Sequence, residues 1–180
     1  QPAATVLVLS LVFARVPGLR PEGVPYALFA LCGLVPWLFF ASAVLAGTNS
    51  LLASSNLVTK VYFPRLLVPA AAVMAGIPDL ALSCLLLLSM MAWYRVAPGS
   101  GLLLFPAAAI LLLGAALGVA LWSSALTVRY RDFRHALPFV LQLGLFATPV
   151  IYSLETAAAW RPILLLNPLT GVVEIWRASL

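Results

Sequence analysis

Residues 26–47 read YALFALCGLVPWLFFASAVLAG, without one charged side chain. They sit inside a longer charge-free stretch, 23–59. A helix needs about 20 apolar residues to cross roughly 30 Å of hydrocarbon, and this stretch supplies them. An open strand is excluded at that depth, because its backbone N–H and C=O groups would have no partners. The segment therefore reads as a membrane-spanning helix, and it sets the terms for the rest of the chain.

The pattern repeats outward. Residues 1–14 are uncharged and end at Arg15, Pro17, Gly18 and Arg20. With Gln1 first and no basic leader, they read as the tail of a cut span rather than a signal peptide, so the chain is expected to be a fragment. Residues 66–94 form a long span interrupted by Pro69, Pro78 and one acid, Asp79. Residues 95–101 (RVAPGSG) make a turn, and 102–128 a clean span whose early Pro106 costs little near a helix start. Residues 136–152 give a short span bounded by Pro138 and Pro149, and 153–180 are mixed. The expectation is an all-α polytopic membrane protein with five hydrophobic segments, the first truncated, forming one transmembrane domain over 1–180.

Composition agrees. Of 180 residues 64% are hydrophobic and 8% charged, where soluble domains average about 45–50% and 25%. A soluble core of this size cannot hide so much apolar surface, which excludes an ordinary cytoplasmic enzyme. An outer-membrane barrel would alternate polar and apolar positions. The net charge of +5 comes mostly from Arg flanking apolar runs, with no continuous basic face for nucleic acid. Cys32 and Cys84 lie in apolar runs without His or a second Cys nearby and read as inert buried thiols. Lys60, Arg65, Arg129, Arg131 and Arg134 crowd two short loops; Arg15, Arg20, Arg95, Arg161 and Arg177 are spread among acids. The rule counts cations and the totals tie, so density alone favours the first set as cytoplasmic.

No constellation for catalysis, cofactor or metal appears: no phosphate-cradling glycine loop with Lys, no HExxH, no closely spaced carboxylate pair. His135 reads as solvated. Asp79, near mid-membrane, faces a bundle interior, a partner or water, or caps the helix freed by Pro78. Residues 129–134 (RYRDFR) interleave cations and aromatics, as a headgroup anchor or a partner-docking surface does. Residues 49–65 read as a short interfacial helix capped by Ser54 or Ser55 and stopped by Pro64. After Thr148 and Pro149, residues 163–166 and 169–175 are too short to span and read as two segments dipping into the outer leaflet. Irregular backbone at that depth must be buried or face a water-filled path; a lateral interfacial helix pair is the other reading.

Taken together, GLVPW at 33–37 with Phe39 and Phe40, NLVTKVYFPR at 56–65, RYRD at 129–132, TPVIY at 148–152 and LNPLTG at 166–171 resemble, in order, the permease subunits of ABC type-2 exporters of polysaccharides and lipid-linked glycans. That resemblance implies six spans per subunit, a bacterial cytoplasmic (inner) membrane, a permease homodimer and two separate ABC ATPase subunits that hydrolyse ATP. It implies that the chain lacks the N-terminal interface helix and the last span. It implies a coupling helix in the 49–65 loop, with Asn56, Lys60, Tyr62, Phe63 and Arg65 facing the ATPase, joined by Arg129, Arg131 and Asp132. It implies short re-entrant helices at the exit after the fifth span. Sugars stack on aromatic faces, so Trp37, Phe39, Phe40, Tyr152 and Trp160, with Asn167, are candidates for a glycan path or exit gate. Lipid-facing or belt packing is the plainer reading of each aromatic. Membrane lipids and a glycan of the O-antigen, capsule or teichoic acid class are the implied partners. A drug or small-lipid exporter on the same scaffold, and a membrane-embedded glycan-processing enzyme, are the alternatives. Replacing Lys60 or Arg65 with Glu is expected to uncouple ATP hydrolysis from export; undiminished export in both variants would remove the coupling assignment.

Overall fold

The charge-free stretch is helical and extends to Ala53 as α1 (Tyr26–Ala53) in the computed structural model, which describes residues 25–54, 64–96, 100–150, 152, 164 and 167–179. The first apolar segment and most of the 49–65 loop lie outside the described residues. Five further helices follow: α2 (Leu67–Met74), α3 (Ile77–Trp93), α4 (Phe105–Arg129), α5 (Phe133–Ala147) and α6 (Pro168–Ser179). A 3-10 turn, Ser100–Leu104, leads into α4. No strand occurs among the described residues, and the chain is an all-α polytopic membrane protein. Among the described residues three apolar paths are long enough to span: α1, α2 with α3 (Leu67–Trp93), and α4.

All five other helices touch α1. Its residues Gly33, Leu34, Val35, Pro36 and Trp37 are buried in succession, more than one full turn, so neighbours enclose it on every side. The closest neighbour is α4, which turns Ala108, Leu112, Ala116, Ala120, Ser123 and Thr127 inward at spacings of three or four. Within lipid, association rests on packing and hydrogen bonds, and small residues let backbones approach. Gly47 marks that approach: a Cβ there would lie 2.7 Å from the Ala120 Cβ. One residue on, the hydroxyls of Thr48 and Ser123 are hydrogen-bonded across the helices at 2.6 Å. Each also lies within reach of its own helix, at Val44 O (2.7 Å) and Val119 O (2.6 Å).

The seam fixes direction. Gly47 and Thr48 are near the end of α1, and Ala120 and Ser123 near the end of α4, so the two helices run parallel. The α2–α3 path returns between them in sequence. The chain thus has a basic end, with Arg65 and the 129–135 turn, and an opposite end holding the starts of α1 and α4.

Several boundaries differ from the sequence expectation. Residues 49–53 belong to α1 rather than to a separate interfacial helix. Asn49 Nδ2 donates to Leu45 O (2.9 Å) and Ser50 Oγ to Gly47 O (2.6 Å), so their polar groups are satisfied on the helix itself. Ser54 closes α1, its N–H donating to Ser50 O (2.9 Å), and residues 55–63, where the sequence predicts a further helix, lie outside the described residues. Pro69 and Pro78 both fall in first turns, where a missing N–H is harmless, and the break lies between them at Ala75 and Gly76. The short fifth span starts at Phe133, runs through Pro138 and stops at Ala147. Helix α3 ends on Arg95 at φ 55°, where glycine is the usual residue, with Val96 N donating to Met91 O (3.0 Å) and Arg95 N to Ala92 O (3.2 Å).

Gly47→Val, forced against Ala120, is expected to lower the melting temperature of the purified protein by the equivalent of about 1–3 kcal/mol. Arg95→Gly is expected to raise it by about 1 kcal/mol through relief of the left-handed backbone. Thermal unfolding in detergent checks both.

Candidate functional site

Helix α5, at 15 residues, is about 22 Å long, short of the roughly 30 Å hydrocarbon layer. Its continuation, Thr148, Pro149 and Val150, is non-helical and buried. Irregular backbone at such a place needs partners for its carbonyls, and α6 provides them. Arg177 donates from Nη1 to Pro149 O (2.8 Å) and from Nη2 to Val150 O (2.7 Å). The same guanidinium meets Glu174 Oε1 at 3.3 Å and stacks 4.0 Å over the Phe29 ring of α1. Gly33 is what leaves room: a Cβ there would come 2.5 Å from Val150 O and 2.7 Å from the guanidinium.

The start of α6 is tied to the same turn. Asn167 Oδ1 accepts from Leu169 N (3.1 Å), and its Nδ2 donates to Thr148 Oγ1 (2.9 Å). The TPVIY and LNPLTG stretches, nineteen positions apart at Thr148 and Asn167, are therefore one hydrogen-bonded unit. Trp176 packs on Phe105 at the start of α4, ring centroids 4.7 Å apart, which docks α6 on the opposite end. Tyr152, half-buried, donates its hydroxyl to Phe146 O (3.1 Å). Of the two short segments expected after the fifth span, the second is helix α6, with Asn167 just before its start, and the first, 163–166, lies outside the described residues apart from Leu164.

At the basic end, Arg65, Arg129, Arg131 and Asp132 are all exposed. Arg129 lies 5.6 Å over the Tyr130 ring, and Trp122 meets Phe133 edge-on at 6.3 Å. The turn thus presents cations on an aromatic footing. Asn56, Lys60, Tyr62, Phe63 and Trp160 lie outside the described residues.

Trp37, Phe39 and Phe40 are placed inside the subunit rather than on an open face: Trp37 and Phe40 are mutual neighbours at 5.8 Å, and Trp37 also closes on Gly144 of α5. Phe39 sits against Gly76 at the break between α2 and α3. The open aromatic face belongs to α5 instead. Phe139, Gln142, Leu143 and Phe146 are exposed at spacings of one helix face. Gln142 is the one amide in that helix, and its isolation in an apolar run is the sequence signal for this face. Residue type and spacing single out neither Arg177 nor Gly33 as part of a site.

Asp79 opens into a cleft of about 680 Å³ between α1 and α3, with Ser42, Leu45, Ser83 and Leu86 on its walls. Its carboxylate does not cap α3, whose N-terminus carries no side-chain cap; only its backbone carbonyl is bonded, accepting from Ser83 Oγ (2.8 Å). The capping reading is thereby corrected: the backbone of the preceding turn already serves that helix start, with Leu80 N donating to Gly76 O (3.1 Å). Among the described residues no group of His, Cys, Asp and Glu could hold a metal.

The described residues form a helical membrane domain with one basic end and a short helix folded back on the other. The chain matches the ABC-2 type transporter family over residues 1–180 and belongs to it. It is 31% identical over 181 residues to the O-antigen export system permease protein RfbA of Myxococcus xanthus, covering 99% of this chain and 69% of that protein. A protein of the same name from Klebsiella pneumoniae is 27% identical over 156 residues, covering 84% of this chain and 60% of its own length. The chain therefore spans about two thirds of these relatives.

Asn167→Asp keeps the acceptor for Leu169 N and loses the donor to Thr148, whereas Asn167→Ala loses both. The expected order of melting temperature is native above Asn167→Asp above Asn167→Ala, each step about 1 kcal/mol, read by thermal unfolding.

Proposed function

We propose that the chain is the membrane permease subunit of an ATP-driven exporter carrying a polysaccharide or lipid-linked glycan of the O-antigen, capsule or teichoic acid class across the bacterial cytoplasmic membrane. It works as a homodimer with two ABC ATPase subunits and has no enzymatic step of its own. The observation that carries this reading is the 31% identity, over nearly the whole chain, to a protein named as an O-antigen export permease.

The geometry supports a division of labour. The exposed Arg65, Arg129, Arg131 and Asp132 at the basic end form the ATPase-facing surface, extended by Asn56, Lys60, Tyr62 and Phe63 of the preceding loop, and this end lies in the cytoplasm. The face of α5 with Phe139, Gln142 and Phe146 suits a sugar chain, offering ring faces for stacking and an amide for hydroxyls. The path leads toward Tyr152 and Asn167 at the opposite end; Trp160 is proposed to join it on residue type alone. Trp37, Phe39 and Phe40 hold α1 in place behind it.

In cells that express the full-length subunit, Phe139→Ala with Phe146→Ala is expected to cut surface glycan roughly three- to tenfold per lost stacking contact while ATP hydrolysis persists. Loss of the subunit that leaves surface glycan intact and instead raises drug sensitivity would overturn the glycan reading.

A further inference from the structure

The two ends of the subunit are closed by different chemistry. At the basic end the seam is neutral: small side chains in contact, and the Thr48 and Ser123 hydroxyls bonded to each other, with the one that accepts donating to a carbonyl of its own helix. Nothing in that seam would gain by coming apart. At the opposite end the closure depends on one charged group. Arg177 is only 11% exposed, and its acidic neighbour, Glu174, is 41% exposed, so the ion pair is half in solvent. The guanidinium also meets the Pro149 and Val150 carbonyls and the Phe29 ring. Its buried Nε has no hydrogen-bond partner among the described residues, and neither has the buried Thr170 Oγ1 on the same helix.

A buried cation with an unmet donor gives up hydration that its bonds only partly restore. Swung outward, the same group would regain that hydration. The closure at this end is thus held by strong bonds, and opening it would return hydration to one unmet donor. Gly33 permits the closed arrangement, since any side chain at that position would strike both Val150 O and the guanidinium. The turn it closes joins directly onto α5, whose open face carries Phe139, Gln142 and Phe146.

From this contrast we propose that Arg177 is a releasable latch: a positioning residue that holds the 148–150 turn against α1 and α6, and that exchanges the Pro149 and Val150 carbonyls for water or sugar hydroxyls when the path opens. The proposal rests on the exporter reading for its purpose, but the contacts and their release do not require the cargo to be a glycan.

The test uses the full-length transporter with its ATPase in vesicles. Val150 is fully buried under the latch. In a Cys32→Ala, Cys84→Ala background, Val150→Cys therefore reports opening through labelling by a water-soluble maleimide supplied at both faces. Slow labelling is expected without ATP and faster labelling during ATP turnover. Adding Arg177→Gln should raise the ATP-free rate about tenfold or more, the equivalent of one charge-assisted hydrogen bond. Arg177→Lys should fall between, because an ammonium cannot span two carbonyls as a guanidinium does. A static anchor predicts a lower melting temperature in Arg177→Gln with no ATP dependence of labelling in the parent. That result overturns the latch, as does an unchanged labelling rate in Arg177→Gln. If Val150→Cys does not assemble, leak of entrapped carboxyfluorescein is compared between Arg177→Gln and the native sequence. Greater leak supports the latch and equal leak overturns it. ATP-dependent labelling without glycan export would remove the glycan reading and leave the latch standing.

Discussion

The near-contact of α1 and α4 at Gly47 and Ala120 is the constraint on which the rest of the subunit depends. A glycine facing an alanine brings two backbones as close as helices pack, and the paired hydroxyls of Thr48 and Ser123 set their register. Hydrocarbon side chains gain little from meeting one another in lipid, so such close approach is what holds apolar helices together. With α1 and α4 parallel and in register, α2 and α3 must run back alongside, and the basic turns must share one end. The starts of α1 and α4 then frame the platform on which α6 docks.

That platform explains why a twelve-residue helix too short to span is nevertheless ordered. It is held by Trp176 on Phe105, by Arg177 on the 148–150 turn and Phe29, and by Asn167 on Thr148. Each contact reaches a different neighbour. The irregular backbone after α5 is buried because α6 covers it, and α6 is placed because that backbone offers free carbonyls.

Hydrophobic run length alone makes the spanning helices legible in the amino-acid sequence. The seam is less so: Gly47 and Ala120 are ordinary small residues in apolar runs, and only their meeting across 73 positions gives them meaning. Proline is over-read as a boundary at 138, where α5 runs through it, whereas Pro69 and Pro78 each sit in a helix's first turn, Pro78 just past the break at Ala75 and Gly76. Asn49 and Ser50 look like the start of a polar loop because polarity per residue does not reveal a side chain folded onto its own helix. At the opposite end the order of TPVIY and LNPLTG is plain, but not that Thr148 and Asn167 bond to one another. Arg177 is, by sequence, only one more positive charge. Its role is set by three partners, Phe29, Pro149 and Val150, that lie 27 or more residues away. The aromatics of α1 are conspicuous by type and sit in the interior, whereas the open face of α5 is less so because its residues are spaced by helical period.

The parallel course of α1 and α4 has an electrostatic consequence. Each helix carries a partial negative charge at its C-terminus, from carbonyls left without intrahelical partners. Two such termini meet at the basic end, and their like partial charges repel. Arg129, in the last turn of α4, sits where a cation offsets that repulsion. Arg129 therefore serves the subunit's own assembly before any partner reaches it, as a counterweight to two aligned backbones.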